Sequence, residues 1–406
     1  MTAYLFIYSI PIFFSIMPAK FKSDHNSLLL TLYAIICVLF IGLRYRVGGD
    51  WGVYINYLIG INEMSLSSMF SLKDPAYMTI LWFSSKFGFH NIGVNLFCAS
   101  VFIFGLHKLC KAQPYPWLAY TIAFPYLIVV VGMGYSRQAV TIGIAMWCYA
   151  IWQRGNKYSF IKIAILIAFG FVFHKSIIAI AFLLVLKKRG FFIDKYICLL
   201  SIPVVAFLAY FFFDYIKLVW TYYVVQSSLA NALLPDNASM SIAEGARIRA
   251  MMNLPACILF FYFYNKFKVF EDRRLLLTIS IISILFFILA PYGSTLIDRM
   301  GLYFTVFQVI IYSRIPSFFK DKQVLISYSY SIIFSYIIIF FVWFNFSNSS
   351  DAWKPYQVNL FHPQFYIGSW VMSIDMLNRT GYIDRLNQIE DRYKLQLERN
   401  NKNEIK

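Results

Sequence analysis

Apolar runs of membrane-spanning or nearly membrane-spanning length recur from one end of this chain to the other. In water such runs aggregate, whereas in a bilayer they satisfy their own backbone hydrogen bonds as helices, so the expected fold class is an all-α polytopic membrane protein. The runs fall at about 4–17, 28–43, 92–108, 116–131, 137–152, 158–173, 175–187, 195–213, 249–265, 274–291, 299–315 and 324–345, which predicts about 12 transmembrane helices. Several, notably 158–173 and 175–187, are shorter than the roughly 20 residues of a straight crossing, so their ends must use flanking Tyr, Trp and Lys at the interface. The first run, Tyr4 to Met17, lacks a basic flank and a small-residue cleavage site and reads as a retained helix. Gln364 to Leu377 fits either a final crossing or an interfacial stretch.

The net charge of +17 sits mostly in short loops between these runs, where it orients helices. A nucleic-acid partner would need a basic soluble face, and outside roughly the last thirty residues there is none. The basic loops hold Lys20 and Lys22, Lys108 and Lys111, Arg154 and Lys157, Lys187 to Lys195, Lys266 to Arg274, and Arg314 to Lys322; the positive-inside rule makes them cytoplasmic. Loops 44–91, 132–136, the turn at His174, 214–248, 292–298 and the chain after Phe346 are then external. Ala76 to Phe87 would invert everything downstream if it crossed, so it reads as an interfacial helix in the first long outer loop, with Trp51 to Ile61 a second. The expected division is a transmembrane domain over 1–346, with outer loops 44–91 and 214–248 forming the substrate site, and a C-terminal segment with a charged tail over 347–406.

Against so few charges, those predicted on the outer side stand out: Arg44, Arg46 and Asp50; Arg137; His174 and Lys175; Arg247 and Arg249; Asp298 and Arg299. Each lies near a helix end, where a snorkelling side chain is the plain alternative to function. As a set they break the positive-inside trend and are rich in Arg, whose fork suits phosphate or pyrophosphate. Gly48 and Gly49 permit a turn that aims Asp50 inward, or an ordinary loop turn. His174 and Lys175 interrupt an apolar stretch, which fits a functional pair or a satisfied hairpin tip. Trp51 and Trp353 are candidate platforms for sugar stacking, though most aromatics here belong to the lipid face and interfacial belt.

Other chemistries lack their residues. The six cysteines, Cys37, Cys98, Cys110, Cys148, Cys198 and Cys257, lie in or beside apolar runs with no CxxC or Cys/His spacing, so neither a disulfide framework nor a metal site is expected. VGGD lacks the spacing and Lys-Ser/Thr end of a P-loop, and no Ser-His-Asp order, DxD pair or HExxH occurs.

A string of short motifs resembles the EpsG-type, Wzy-like polysaccharide polymerases of bacterial capsule, exopolysaccharide and O-antigen pathways. They are LRYRVGGDWGVY (43–54), DPAYMTILW (74–82), SRQAVTIGI (136–144), FHKS (173–176), DRMGLYF (298–304) and WKPY (353–356), spanning most of the chain in order. Gly49 and Trp51 depart from the Thr and Tyr usual around the Asp, and the basic tail after Tyr382 is long. The resemblance implies a multi-pass protein of the bacterial inner membrane that transfers a growing glycan from undecaprenyl pyrophosphate onto the next lipid-linked repeat unit at the outer face. It implies no cofactor, and a chain-length regulator protein as a further partner. The loop bearing Asp50 also looks like the first outer loop of C-type membrane glycosyltransferases, an analogy at fold level.

On this expectation Asp50 is the base that takes the acceptor hydroxyl proton, with His174 as alternative base or phosphate donor. Arg44, Arg46, Arg137, Lys175, Arg247, Arg249 and Arg299 hold pyrophosphate, and Asp298 orients Arg299. A lipid-linked oligosaccharide flippase, an O-antigen ligase and a membrane O-acyltransferase centred on His174 remain rival readings.

Overall fold

The structure, a computed structural model, describes residues 1–17, 24–58, 61, 64–72, 74–154, 158–181, 183–184, 246–290 and 294–358. The expected helix 195–213, nearly all of loop 214–248 and the tail beyond 358 lie outside the described residues. What is described is helical apart from one short ladder, as an all-α protein requires. Helices α6 (His90–Lys111) and α15 (Lys322–Phe346, here the last) are long and apolar enough to cross a membrane; Thr2–Ile16, Ser27–Gly42, Pro116–Gly132 and Ser159–Phe173 are apolar but shorter. The helical class therefore holds, while the twelve full crossings expected from the runs are not matched by as many helices of spanning length among the described residues.

The shortfall has a local cause. The run 249–265 is divided between α10 (Ala246–Met251) and α11 (Leu254–Tyr262), with Asn253 and Pro255 at the junction. The run 299–315 is divided between α13 (Ser294–Gly301) and α14 (Val306–Arg314), with Leu302, Tyr303 and Phe304 buried in the break. Helix α9 (Ser159–Phe173) stops where His174 turns extended, and a 3₁₀ turn Lys175–Ile180 follows. Broken helices survive at membrane depth only where protein satisfies the loosened polar groups. Here the Phe304 amide donates to the Gly301 carbonyl at 2.9 Å, and the Gln308 amide to Asn253 Oδ1 at 2.6 Å.

At the centre α6 crosses α8 (Ser136–Arg154) at two glycines: a Cβ on Gly105 would run into the Gly143 carbonyl, and one on Gly143 would lie 2.5 Å from Phe102 Cα. Without a hydrophobic drive between helices in lipid, such close backbone approach is what holds a pair together. Gly105→Ala should therefore lower the thermal midpoint in detergent, by an overpacking cost of about 1–3 kcal/mol. Ser100→Ala, at an exposed position of the same helix, should leave it unchanged.

Helix α1 (Thr2–Ile16) sends Tyr8 onto Phe124, rings stacked at 4.6 Å, and Tyr4 into a nest of Phe40, Phe344 and Tyr356. Helix α15 buries the stripe Ile333, Tyr336, Phe340 and Phe344 and exposes Phe334, Ile338, Phe341 and Val342, a wide apolar outer face suited to acyl chains.

Two polar clusters mark opposite ends of α6 and α8. At their C-terminal ends the Arg314 guanidinium grips Asp272 with two parallel hydrogen bonds of 2.6 and 2.8 Å, donates to Gln113 at 2.9 Å, and lies over the Phe270 ring at 4.2 Å. Gln113 in turn donates to Gln153 at the end of α8. Lys108, Lys111, Arg154, Lys266 to Arg274 and Arg314 all belong to this end, matching the grouping of their loops predicted from charge. The other cluster, roughly 30 Å away along α6 at about 1.5 Å per residue, holds the candidate site.

Candidate functional site

The site is organised by the first three residues of α8. Successive side chains on a helix are about 100° apart, so three in a row reach three different neighbours. Ser136 Oγ accepts a 2.7 Å hydrogen bond from Arg44 Nη2. Arg137 Nη1 donates to Asp74 Oδ2 at 2.8 Å, and its guanidinium lies over the rings of Tyr57 and Tyr54 at 5.3 and 5.9 Å. Gln138 Nε2 donates to the Arg299 carbonyl at 2.5 Å, and Arg299 Nη1 returns a 3.3 Å bond to Gln138 Oε1.

Asp50 is delivered by a turn with little freedom. After α2 (Asp24–Gly42), Arg44 folds back to donate from Nη1 to the Ile41 carbonyl at 2.6 Å and from Nε to the Val47 carbonyl at 3.1 Å. Gly48 has φ +111°, and a Cβ there would meet the Met133 carbonyl. Its amide donates to the Ala352 carbonyl at 2.8 Å, and the Asp50 amide to the Gly134 carbonyl at 3.3 Å. Asp50 then leads into α3 (Trp51–Leu58), leaving its carboxylate near enough to act electrostatically on Arg137, Tyr54, Tyr57 and Tyr135. Of the two expected interfacial helices, one is α3 and the other is α5 (Pro75–Lys86), whose 12 residues are too few to cross.

The far end of the chain closes over this turn. Past α15, residues 348–358 return as a strap whose strand β2 (Gln357–Val358) pairs antiparallel with β1 (Arg44–Tyr45). Trp353 is 3% exposed, facing Gly49, where a Cβ would lie 3.6 Å from its ring, and fitting so close to Gly134 that a Cβ there would be 2.6 Å away. Its indole N–H donates to the Val129 carbonyl at 2.9 Å, and its own carbonyl accepts from Tyr4 at 2.7 Å. Val129 lies in a π-helical stretch, Phe124–Gly132, entered through Pro125, which has no N–H to continue an α-helical ladder after α7 (Pro116–Ala123). The sequence offered Trp51 and Trp353 as sugar-stacking platforms. Both are buried in protein instead, Trp353 against Gly49 and Gly134 and Trp51, at 1% exposure, edge-on to Tyr45.

The remaining residues approach from α10, α13 and the His174 turn. Arg249 pairs through Nε with Asp298 Oδ1. Asp298 was expected to orient Arg299; it is Gln138 that holds Arg299, while Tyr135 lies under its guanidinium at 5.0 Å. The reason is the helix: neighbours in α13 point about 100° apart, so adjacent Asp and Arg take different partners. His174 Nδ1 lies 2.6 Å from Ser176 Oγ and accepts a 3.3 Å bond from the Ser176 amide. Ser176 Oγ continues to Tyr303 OH at 2.8 Å, Tyr303 to Thr141 Oγ1 at 2.6 Å, and Thr141 donates to the Gln138 carbonyl at 2.8 Å.

Of the residues singled out from sequence, Asp50, Arg249, Asp298 and Arg299 thus act on Tyr135, Arg137 acts on Asp50, and His174 joins through its hydroxyl chain. Arg44 is 1% exposed, with Nε, Nη1 and Nη2 each donating to protein, and Arg137 is ion-paired to a buried carboxylate; both act as struts. Arg46, at φ 51°, lies over the Tyr45 ring, and Arg247, exposed, over Phe287 at 5.9 Å. Lys175 is exposed at the head of the 3₁₀ turn. Sequence reasoning missed Asp74, Gln138, Ser176 and Tyr303; all four lay in quoted motifs, but nothing local marked Asp74, for one, as the partner of a residue 63 positions away.

No curated protein and no solved structure matches the chain. Among family models, the EpsG family matches residues 27–358, a stretch that opens in α2, ends on the last residue of β2, and takes in every element of the site. The chain therefore belongs to the EpsG family and is a membrane protein of the polysaccharide-polymerase type.

Proposed function

We propose that this protein polymerises undecaprenyl-pyrophosphate-linked oligosaccharide repeat units at the outer face of the bacterial inner membrane. The observation that carries the reading is the gathering of one carboxylate, Asp50, with two arginines whose side chains are only part-buried, Arg249 and Arg299, at one end of the helices. The alternation of basic loops supports an outer position for that end. A sugar hydroxyl of the incoming unit attacks the anomeric carbon of the donor chain; the new C–O bond forms as the bond to pyrophosphate breaks. Asp50 takes the hydroxyl proton, and undecaprenyl pyrophosphate leaves with the electron pair. Arg249 and Arg299 hold the departing charge, which is where fixed cations lower a barrier most. Arg44 and Arg137 hold the two walls in register without touching substrate. A chain-length regulator protein is proposed as a partner on the strength of the family alone.

Cells lacking this gene should retain single-unit glycan and lose the polymer ladder on a gel. Complementation with Arg299→Ala at matched membrane levels should restore little ladder, while Arg299→Lys, which keeps charge but not the fork, should restore part of it. A full ladder in the deletion strain sinks the assignment. Loss of even the single-unit glycan points to an earlier step such as flipping.

A further inference from the structure

The hydroxyl of Tyr126 is closed off from solvent and has no hydrogen-bond partner among the described residues. A polar group in that condition destabilises a fold, and Phe would fill the same space without it. The orphaned hydroxyl of Tyr8, on the face stacked against Phe124, has no charged neighbour acting on it, and that of Tyr77 has Arg137 alone. Tyr126 differs, because Arg249, Asp298, Tyr135 and Arg299 all act electrostatically on it. It is carried on the π-helical stretch Phe124–Gly132, and such local widening of a helix recurs at functional sites.

The chemistry of the neighbours says what is missing. Asp298 Oδ1 is engaged by Arg249, the nearby guanidiniums can only donate, and their charge favours an anion, so the acceptor this phenol O–H lacks fits an anionic oxygen from outside the chain. We propose that Tyr126 is a substrate-binding residue whose hydroxyl, covered in this conformation, is reached on substrate entry and donates to a non-bridging oxygen of the pyrophosphate held by Arg249 and Arg299. The inference rests on the assignment of that site to a lipid-linked pyrophosphate. It adds a neutral donor to two cations: the arginines attract any phosphate, and the buried phenol fixes one oxygen.

Tyr126→Phe removes only the hydroxyl, so the test is made on the full chain in nanodiscs, reading thermal midpoint and affinity for undecaprenyl pyrophosphate and, separately, for inorganic pyrophosphate. The midpoint without ligand should stay level or rise, while the dissociation constant for the lipid rises about tenfold or more, as for a lost hydrogen bond to a charged group. Inorganic pyrophosphate should bind more weakly to both proteins and show the same relative loss. If Tyr126→Phe binds the lipid like wild type while Arg299→Ala does not, Tyr126 is no ligand contact and the site reading stands. If neither substitution weakens binding, the pyrophosphate reading itself fails and takes this proposal with it.

Discussion

Asp50→Asn, present in the membrane at the wild-type level, should leave only single-unit glycan, a loss of polymerising activity of at least about a hundredfold, which is the lower end of what a positioned general base contributes. The substitution keeps the shape of the side chain and removes its capacity to take a proton. It leaves the backbone amide of residue 50 on the Gly134 carbonyl, so the turn itself should persist. The expected fall therefore lies in turnover, with little change in the Michaelis constant for the lipid-linked unit. Asp50→Glu should recover a minor part, since the carboxylate returns but is carried one methylene too far for the walls set by Arg137 and Tyr135. A ladder of wild-type length from Asp50→Asn would remove Asp50 from the chemistry and leave His174 as the candidate base.

Trp353→Ala should be the most damaging substitution outside the charged set. It empties a space bounded by Gly49, Gly134 and Trp343 and leaves the Val129 carbonyl without its indole donor. Truncating a buried aromatic of this size costs about 3–5 kcal/mol, to be read as a fall in thermal midpoint in detergent. Trp353 also presses on the turn that presents Asp50, so ladder length should shorten even when the amount of protein is matched. Trp353→Phe separates the two effects: it fills most of the space but lacks the N–H, so it should recover much of the midpoint. A normal ladder from a folded Trp353→Ala protein would show that the strap supports stability and leaves the position of Asp50 unaffected.

Much of this arrangement was legible in the sequence because it depends on short-range rules. Apolar runs, the alternation of basic loops and the interruption at His174 are read locally, and the structure returns helices, two separated polar ends and a helix end at that histidine. The 12-residue α5 was likewise legible, since Pro75 and Ser84 to Lys86 bound an apolar stretch too short to cross. The breaks at 252–253 and 302–305 were not. Hydropathy is blind to whether a backbone group finds a partner on another helix, and Gln308 is what satisfies Asn253.

By itself the sequence determined the family, the all-helical membrane class and the identity of nearly every charged residue that meets at the site. Composition and ordered motifs suffice for that, because in lipid an ionisable group is costly wherever it stands. Only the tertiary structure decided which of those charges are held by fully buried partners and which by part-exposed ones. Arg44 and Arg137 read like Arg249 and Arg299 along the chain, yet the first pair is spent on buried carbonyls, Ser136 and Asp74. Likewise Tyr126 in FPYLIVVVG and Trp353 in the late WKPY read as lipid-facing or sugar-facing aromatics, and both turned inward. A guanidinium or a ring takes its role from what lies across from it, and Ser136, Asp74 and the Val129 carbonyl lie 92, 63 and 224 residues from Arg44, Arg137 and Trp353, brought in by helix crossings no local pattern encodes.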